Sequence, residues 1–338
     1  MCYKQERELK DSLRIEEKIK DYPEFLQKYF ERLPANSTKI TNFSIINNMF
    51  EWFINNNIIN KHSIDKIEPD DMKPINDLHI TNYLDSLKNE NSMSTIITKK
   101  KVISSLWDYF KIYKIADDNI AKTIARQKYK DEGVEDGEFD SVEIPTATQI
   151  NTFMSNLYNI LDNFKQVRNV AMITLLAATG MRSEELIGID IDGIYLDEES
   201  PYVLTMRKGY TEVRKRIKIR TEAIKYIRPY VEMRKKIKVN DNALFLSVRM
   251  NRLSYRSLKN EFDRYGDGVY PHMMRHMFAS DMYAKGTDLV TIQKMLNHKS
   301  YETTVKMYIS VEHEEDFFEV LKRVDKEFGK TFDELVTA

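Results

Sequence analysis

Apolar residues recur at helical spacing through the first third of the chain. After "ANSTK" they fall at Ile40, Phe43, Ile46, Phe50, Phe53 and Ile54, one stripe of a long helix, with Asn36, Ser37 and Thr38 as possible N-caps. The preceding "YPEFLQKYFERLP" gives a shorter amphipathic helix stopped at Pro34. Two more helices follow at "ITNYLDSLKNE" and "STIITKKKVISSLWDYFKIYK", the second with Ile97, Val102, Leu106 and Phe110 turned inward. Residues 1–30 are polar, with a weak helical pattern at Leu9, Leu13, Ile15 and Ile19, and read as an extension or a first helix. No alternating pattern competes through residue 125, so this region is expected to be all helix.

The pattern breaks at residues 126–144. "RQKYKDEGVEDGEFDSVEI" holds two glycines, few large apolar residues and an acidic bias, the composition of a linker. Pro145 and Thr146 then open a helix, and "VRNVAMITLLAATG" is apolar almost throughout, a core helix closed by Gly180. "PYVLTM" and "VRKRIKI" alternate with a period of two around a glycine-containing turn, which predicts a β-hairpin. Helical patterns return from Thr221. The last, "EEDFFEVLKRVDKEF", puts Phe317, Leu321, Val324 and Phe328 on one stripe that needs a surface to cover it.

Composition narrows the classes. An apolar fraction of 42% in 338 residues is enough for two packed cores. Cys2 is the single cysteine, which rules out an internal disulfide or cysteine-based metal cluster and fits a reducing cytoplasm. No apolar run approaches the roughly 18 residues of a membrane span, and the charged start "MCYKQERELK" is unlike a signal peptide. The formal net charge is only -1, so overall charge does not point to nucleic acid. Its distribution does: Arg207 to Lys238 carry thirteen Lys or Arg against Glu212, Glu222 and Glu232. A solvated helix face is the plain alternative. No phosphate-binding glycine loop, zinc spacing or internal repeat is present.

Six residues of the second region form an ordered set. Arg182 follows the Gly180 break at the start of a new helix, where its guanidinium would add to the positive end of the helix dipole. Lys208 lies in the hairpin. His272 and Arg275, three apart in "HMMRH", share one helix face. His298 ends the next helix, which Thr287 or Asp288 can cap, and Tyr308 closes the set.

In this order, "ATGMRSEEL", "RKG", "HMMRH", "LNHKS" and "TTVKMYISV" resemble the boxes of the tyrosine recombinases, of the phage-integrase and Xer type, over residues 145 to 312. The helical first region is similar to the core-binding domain of that family in architecture more than in motif. The resemblance implies a mainly α protein: an N-terminal extension (1–30), an all-helical, SAM-like core-binding domain (31–125), the linker, and a mixed α/β catalytic domain (145–338) with a small antiparallel sheet and a C-terminal tail (313–338). It implies site-specific cutting and rejoining of double-stranded DNA through a 3′-phosphotyrosyl bond, for integration, excision or dimer resolution. Tyr308 would attack, His272 take its proton, Lys208 protonate the leaving oxygen, and Arg182, Arg275 and His298 hold the phosphate, with Glu185 orienting the clamp. Such chemistry needs no metal or cofactor. Lys99, Lys100, Lys101, Arg214 and Arg216 are the candidate DNA contacts. The partners implied are DNA sites and a homo-tetramer linked through the tail, which otherwise packs on its own domain; a full arm-binding domain is not expected.

Two positions depart from the common boxes: Asn297 replaces the usual glycine before the histidine, and Met274 the usual leucine before the second arginine. Asn suits a left-handed cap and Met conserves volume. Met273, Met274 and Met277 read as core and His276 as packing, while Tyr301 lies too close to His298 to be the nucleophile. A metal hydrolase built on His272, His276 and His298 is a poor fit, because Arg275 occupies the place where a cation would sit. A type IB topoisomerase and a DNA-binding protein with a dead site are the remaining rivals; the short two-domain chain argues against the first and the full set of residue types against the second.

Overall fold

A computed structural model describes residues 3–124, 144–159, 163–206, 214–266, 268–296 and 316–327. The chain divides into two compact units, Met1–Glu138 and Phe139–Ala338.

The described part of the first unit is helical: α1 (Tyr3–Ile19), α2 (Glu24–Glu31), α3 (Asn36–Asn55), α4 (Asp77–Ser86), α5 (Met93–Ile112) and the single turn α6 (Ile120–Thr123). Leu26, Phe30, Ile46, Phe50, Phe53, Leu84, Leu106 and Phe110 are fully buried in one core. The buried stripe of α5 runs through Ile96 and Ile103 rather than Ile97 and Val102, which are only partly buried. Both pairs are adjacent β-branched residues, so spacing alone could not choose between them. α1 packs on α3 through Ile15, while Leu9 and Leu13 stay 51% and 59% exposed. The expected N-caps of α3 are not used. Ala35 holds the cap position without a side-chain bond, because Asn36 is inside the helix and donates instead to the Glu8 carbonyl of α1 at 3.3 Å.

The second unit contains α7 (Ala147–Tyr158), α8 (Asn163–Thr179), α9 (Ser183–Ile187), β1 (Ile194–Tyr195), β2 (Tyr202–Met206), β3 (Arg214–Lys218), α10 (Ile224–Lys236), α11 (Tyr255–Tyr265), α12 (Pro271–Ala284), α13 (Leu289–Leu296) and α14 (Phe317–Glu327), numbered over the described residues. Thr146 caps α7 through a reciprocal pair with Gln149. Every residue of α8 from Gln166 to Thr179 is buried, with α10 and α12 packed on it. The strands form an antiparallel sheet in the order β1-β2-β3, with Val203 opposite Ile217 and Leu204 opposite Arg216. Alternation sends Val203, Thr205 and Ile217 to a buried face and Arg216 to the other. α14 packs on α7 of the same chain, burying Phe317, Phe318, Val320, Leu321 and Val324. The stripe read from the sequence is therefore covered, as far as Val324, by the chain's own unit; Phe328 lies outside the described residues. Among the described residues no helix is long and apolar enough to cross a membrane.

Candidate functional site

The site is assembled around a glycine. α8 ends at Thr179, and Gly180 turns the chain in the left-handed region at φ +59°, a conformation that L side chains resist. Space requires glycine as well: a Cβ there would stand 2.4 Å from Phe278 Cδ1 on α12 and 2.8 Å from Leu296 Cδ2 on α13. The bare backbone lets three elements converge, the α8–α9 turn, α12 and the end of α13.

Arg275, on α12, is 2% exposed. Its Nη1 donates to the Gly180 carbonyl at 2.6 Å and its Nη2 to the Leu296 carbonyl at 2.5 Å. The guanidinium thus fastens the turn after α8 to the residue from which the chain runs on to His298. Arg182 is the N-cap of α9, where its backbone N–H donates to Glu185 Oε2 at 2.8 Å. Glu185 is 5% exposed, and its Oε1 lies 3.6 Å from Arg182 Nη1, so one buried carboxylate sets both the backbone and the head group of Arg182. The Glu185 carbonyl in turn accepts from Thr205 Oγ1 at 2.8 Å, which ties the motif to β2. The dipole expected to reinforce Arg182 is a negligible part of this arrangement, because α9 is a five-residue helix; the charge is the arginine's own.

His272 sits in the first turn of α12, one residue after Pro271. The ring keeps solvent access, yet its surroundings are dense: desolvation, then the charges of Arg275 and Arg182, lower its pKa from the ordinary histidine value. Its ring meets that of His276 edge to face, with centroids 4.5 Å apart. Met273, Met274 and Met277 are buried on the other side of α12. Arg182, Glu185, His272 and Arg275 are therefore gathered at one place, with two guanidiniums and a neutral-leaning imidazole forming a site for an anion.

Lys208, His298 and Tyr308 lie outside the described residues, as does the side chain of Arg214. Arg216 stands on the sheet face opposite Thr205, its guanidinium 3.7 Å from the centroid of Tyr202, which itself stacks on Tyr195 at 4.5 Å. The strand residue that turns toward the site is Lys215, whose Nζ donates to the Met295 carbonyl at the end of α13 at 3.2 Å. The period of two along β3 separates Lys215 from Arg214 and Arg216. Asp288, not Thr287, caps α13, accepting from the Thr291 N–H at 3.0 Å. In the first unit Lys99 is half-buried and Lys101 exposed, while the Lys100 ammonium donates to the Ile124 carbonyl after α6.

The chain is similar to known proteins in sequence and in fold. The tyrosine recombinase XerC of Escherichia coli O6:K15:H31 (strain 536 / UPEC) is 34% identical over 158 residues, 45% of this chain and 52% of that protein. The chain thus spans about half the length of the curated relatives it matches. Among solved structures, XerH site-specific recombinase bound to its difH substrate aligns with a TM-score of 0.58 at 18% identity, over 81% of this chain and 77% of that one. A lambda integrase dimer bound to a COC' core site aligns with a TM-score of 0.59 at 17% identity, over 86% and 96%. These two likenesses show the fold. The sequence profile of the phage integrase family matches residues 145–315, just over half of the chain and the whole span that carries the boxes, and the chain belongs to that family.

Proposed function

We propose that the protein is a tyrosine-type site-specific DNA recombinase that cuts and rejoins strands through a 3′-phosphotyrosyl intermediate. The observation that carries this reading is the convergence of Arg182, Arg275 and His272 on the Gly180 turn. Attack on a phosphodiester concentrates negative charge on the non-bridging oxygens, and fixed guanidiniums stabilise that charge without being able to lose their protons. Arg182 and Arg275 supply the clamp, and Glu185 holds Arg182 in place. Burial, and then the charges of Arg275 and Arg182, lower the His272 pKa and favour the neutral imidazole a base needs, so His272 takes the proton of the Tyr308 hydroxyl as the tyrosine attacks phosphorus. Lys208 protonates the departing 5′ oxygen, and His298 donates to a non-bridging oxygen. The phosphotyrosyl bond conserves the energy of the broken linkage, so a second 5′ hydroxyl can reverse it without metal or nucleotide.

Double-stranded DNA is the partner, held chiefly through its phosphates, so that affinity falls steeply with salt. Lys99, Lys101, Arg214 and Arg216 remain contacts to test. Lys100 remains one too, although its ammonium also donates to the Ile124 carbonyl. Four protomers would gather on two duplexes; with α14 covered by its own unit, residues 328–338 are the part of the tail left to bridge them. A single cysteine is compatible with work in a reducing cytoplasm. The test is a nicked duplex, chosen from a random-sequence pool by the protein itself. Wild type should form a denaturant-stable protein–DNA adduct and Tyr308→Phe none; an adduct persisting in the variant would refute the assignment.

A further inference from the structure

Arg252 lies in the stretch between α10 and α11, its side chain only 13% exposed, and reaches back to the end of α9, 65 residues earlier in the chain. Its Nη1 donates to the Ile187 carbonyl at 2.8 Å and to the Ile189 carbonyl at 3.2 Å. Its Nη2 donates to Asp190 Oδ1 and stands 3.6 Å from Asp241 Oδ1, and its backbone N–H donates to Asp241 Oδ2 at 2.7 Å. The backbone of the two stretches is paired as well: the Leu244 N–H donates to the Ile189 carbonyl and the Ile191 N–H to the Asn242 carbonyl, each at 2.8 Å. No step of the phosphate chemistry uses any of these groups.

What they hold is the helix of Arg182. α9 is only five residues long, too short to keep its place by its own hydrogen bonds, and the last carbonyls of any helix lack partners within it. Ile187, its last residue, is buried, so a donor other than water is needed there, and the Arg252 guanidinium supplies it. At its other end α9 is capped by Arg182, and Glu185 in its first turn holds both the Arg182 backbone and its head group. The turn before Arg182 is fastened by Arg275 at the Gly180 carbonyl. The segment that carries Arg182 is therefore clasped between two guanidiniums, Arg275 at its entrance and Arg252 at its exit.

Resting on the recombinase reading, we infer that Arg252 is a positioning residue for strand cleavage: by fixing the end of α9 it fixes Glu185 and, through Glu185, the direction in which Arg182 presents its charge to the scissile phosphate. The Arg252 guanidinium is itself engaged by carbonyls and carboxylates, so its effect on the reaction passes through Arg182. Its loss costs alignment rather than DNA affinity.

Removing the side chain outright would strand Asp190 and Asp241 and threaten folding, so the variant of choice is Arg252→Lys. It keeps a cation beside both acids but loses the planar fork that spans carbonyls and carboxylate together, while Thr205 still holds the Glu185 carbonyl. On the nicked, self-selected duplex at saturating protein, its adduct should form roughly 10- to 100-fold more slowly than that of wild type, with an unchanged half-saturating DNA concentration. On a duplex whose scissile linkage is a neutral methylphosphonate the variant should lose little, because Arg182 has no charge to meet there. An unchanged rate on the phosphodiester overturns the inference, and so do equal losses on both linkages, which a merely structural role would produce. A second readout needs no DNA. After burial and Arg275, Arg182 lowers the His272 pKa, so loosening it in Arg252→Lys should move the midpoint of the ring's NMR titration upward, and should add nothing once Arg182 is already Gln. A midpoint that stays in place, or an equal shift in the Arg182→Gln background, overturns the inference. If wild type itself forms no Tyr308-dependent adduct, the recombinase reading has failed instead, and the ring titration alone decides whether Arg252 positions Arg182.

Discussion

The two units are packed by different means. Among the described residues the first buries Asn42 and Asn119 but no charged side chain, whereas the second buries Arg168, Glu185, Arg234, Glu261, Arg275 and Asp281. An interior charge is expensive unless it is paired and fully hydrogen-bonded, so the second unit meets a cost that the first avoids. Some of these groups serve the fold. Arg168 Nη2 donates to Glu261 Oε1 at 2.9 Å and its Nη1 to the Leu246 carbonyl at 2.9 Å, and Arg234 reaches the carbonyls of Ala243, Ile237 and Asp241. Glu185, Arg275 and Asp281 instead gather at the Gly180 turn and at Arg220. A charge held still by a closed shell of partners is preorganised, which is what stabilising a transient anion demands.

The sharpest way to break this contrast is to strand one charge. Arg168→Ala should cost about 3–5 kcal/mol in denaturant unfolding of the second unit, while a well-packed Arg168→Met, Glu261→Leu pair should be neutral or stabilising by about 1–4 kcal/mol. If the single and the paired change cost the same, the Arg168–Glu261 bond is not the source of the effect. At Gly180→Ala the left-handed backbone costs about 1–2 kcal/mol and the contact with Phe278 and Leu296 about 1–3 kcal/mol more. Adduct formation should fall further than this stability loss explains, because Arg182, Arg275 and the end of α13 all move. An active, stable Gly180→Ala protein would remove the turn from the account. In the first unit, Asn42 Nδ2 donates to the Tyr29 hydroxyl at 3.0 Å, and Asn42→Ala should cost only about 1 kcal/mol; a loss as large as that of Arg168→Ala would erase the comparison.

The smallest effect is electrostatic. Folding depresses the His272 pKa, so protonating the ring opposes the folded state. The stability linked to the neutral ring is complete above the ordinary value of about 6.5 and is lost as pH falls through the lowered folded value. A ring titration followed by NMR should have its midpoint below about 6.5 and move upward in Arg182→Gln. A midpoint at or above the ordinary value would contradict the proximity of the two arginines to the ring.

Much of this is legible in the sequence wherever an element's pattern is self-contained. The unbroken apolar run of α8, the alternation of β2 and β3, the Thr146 cap and the glycine after α8 each announce their element, and "HMMRH" places His272 and Arg275 on one face. The ordered boxes also mark the site. What the sequence withholds is pairing across distance. Arg168 meets Glu261 93 residues away and Arg220 meets Asp281 61 away; no local pattern encodes either. The face of α5 and the unused caps of α3 failed for a related reason, since neighbouring helices decided between locally equivalent residues. At β3 strand parity separates Lys215, which donates to the Met295 carbonyl, from Arg216 on the other face, but the partner at the end of α13 is again a long-range pairing.

The central claim is that Arg182 and Arg275 act on the charge of the scissile phosphate. It is tested most directly by comparing adduct formation on a normal nicked duplex with that on one whose scissile linkage is a neutral methylphosphonate. Arg182→Ala, the more accessible of the pair, should lose about 100- to 1000-fold on the phosphodiester and little on the methylphosphonate. Equal losses on both would show that the arginine supports the fold and not the charge, and would contradict the account.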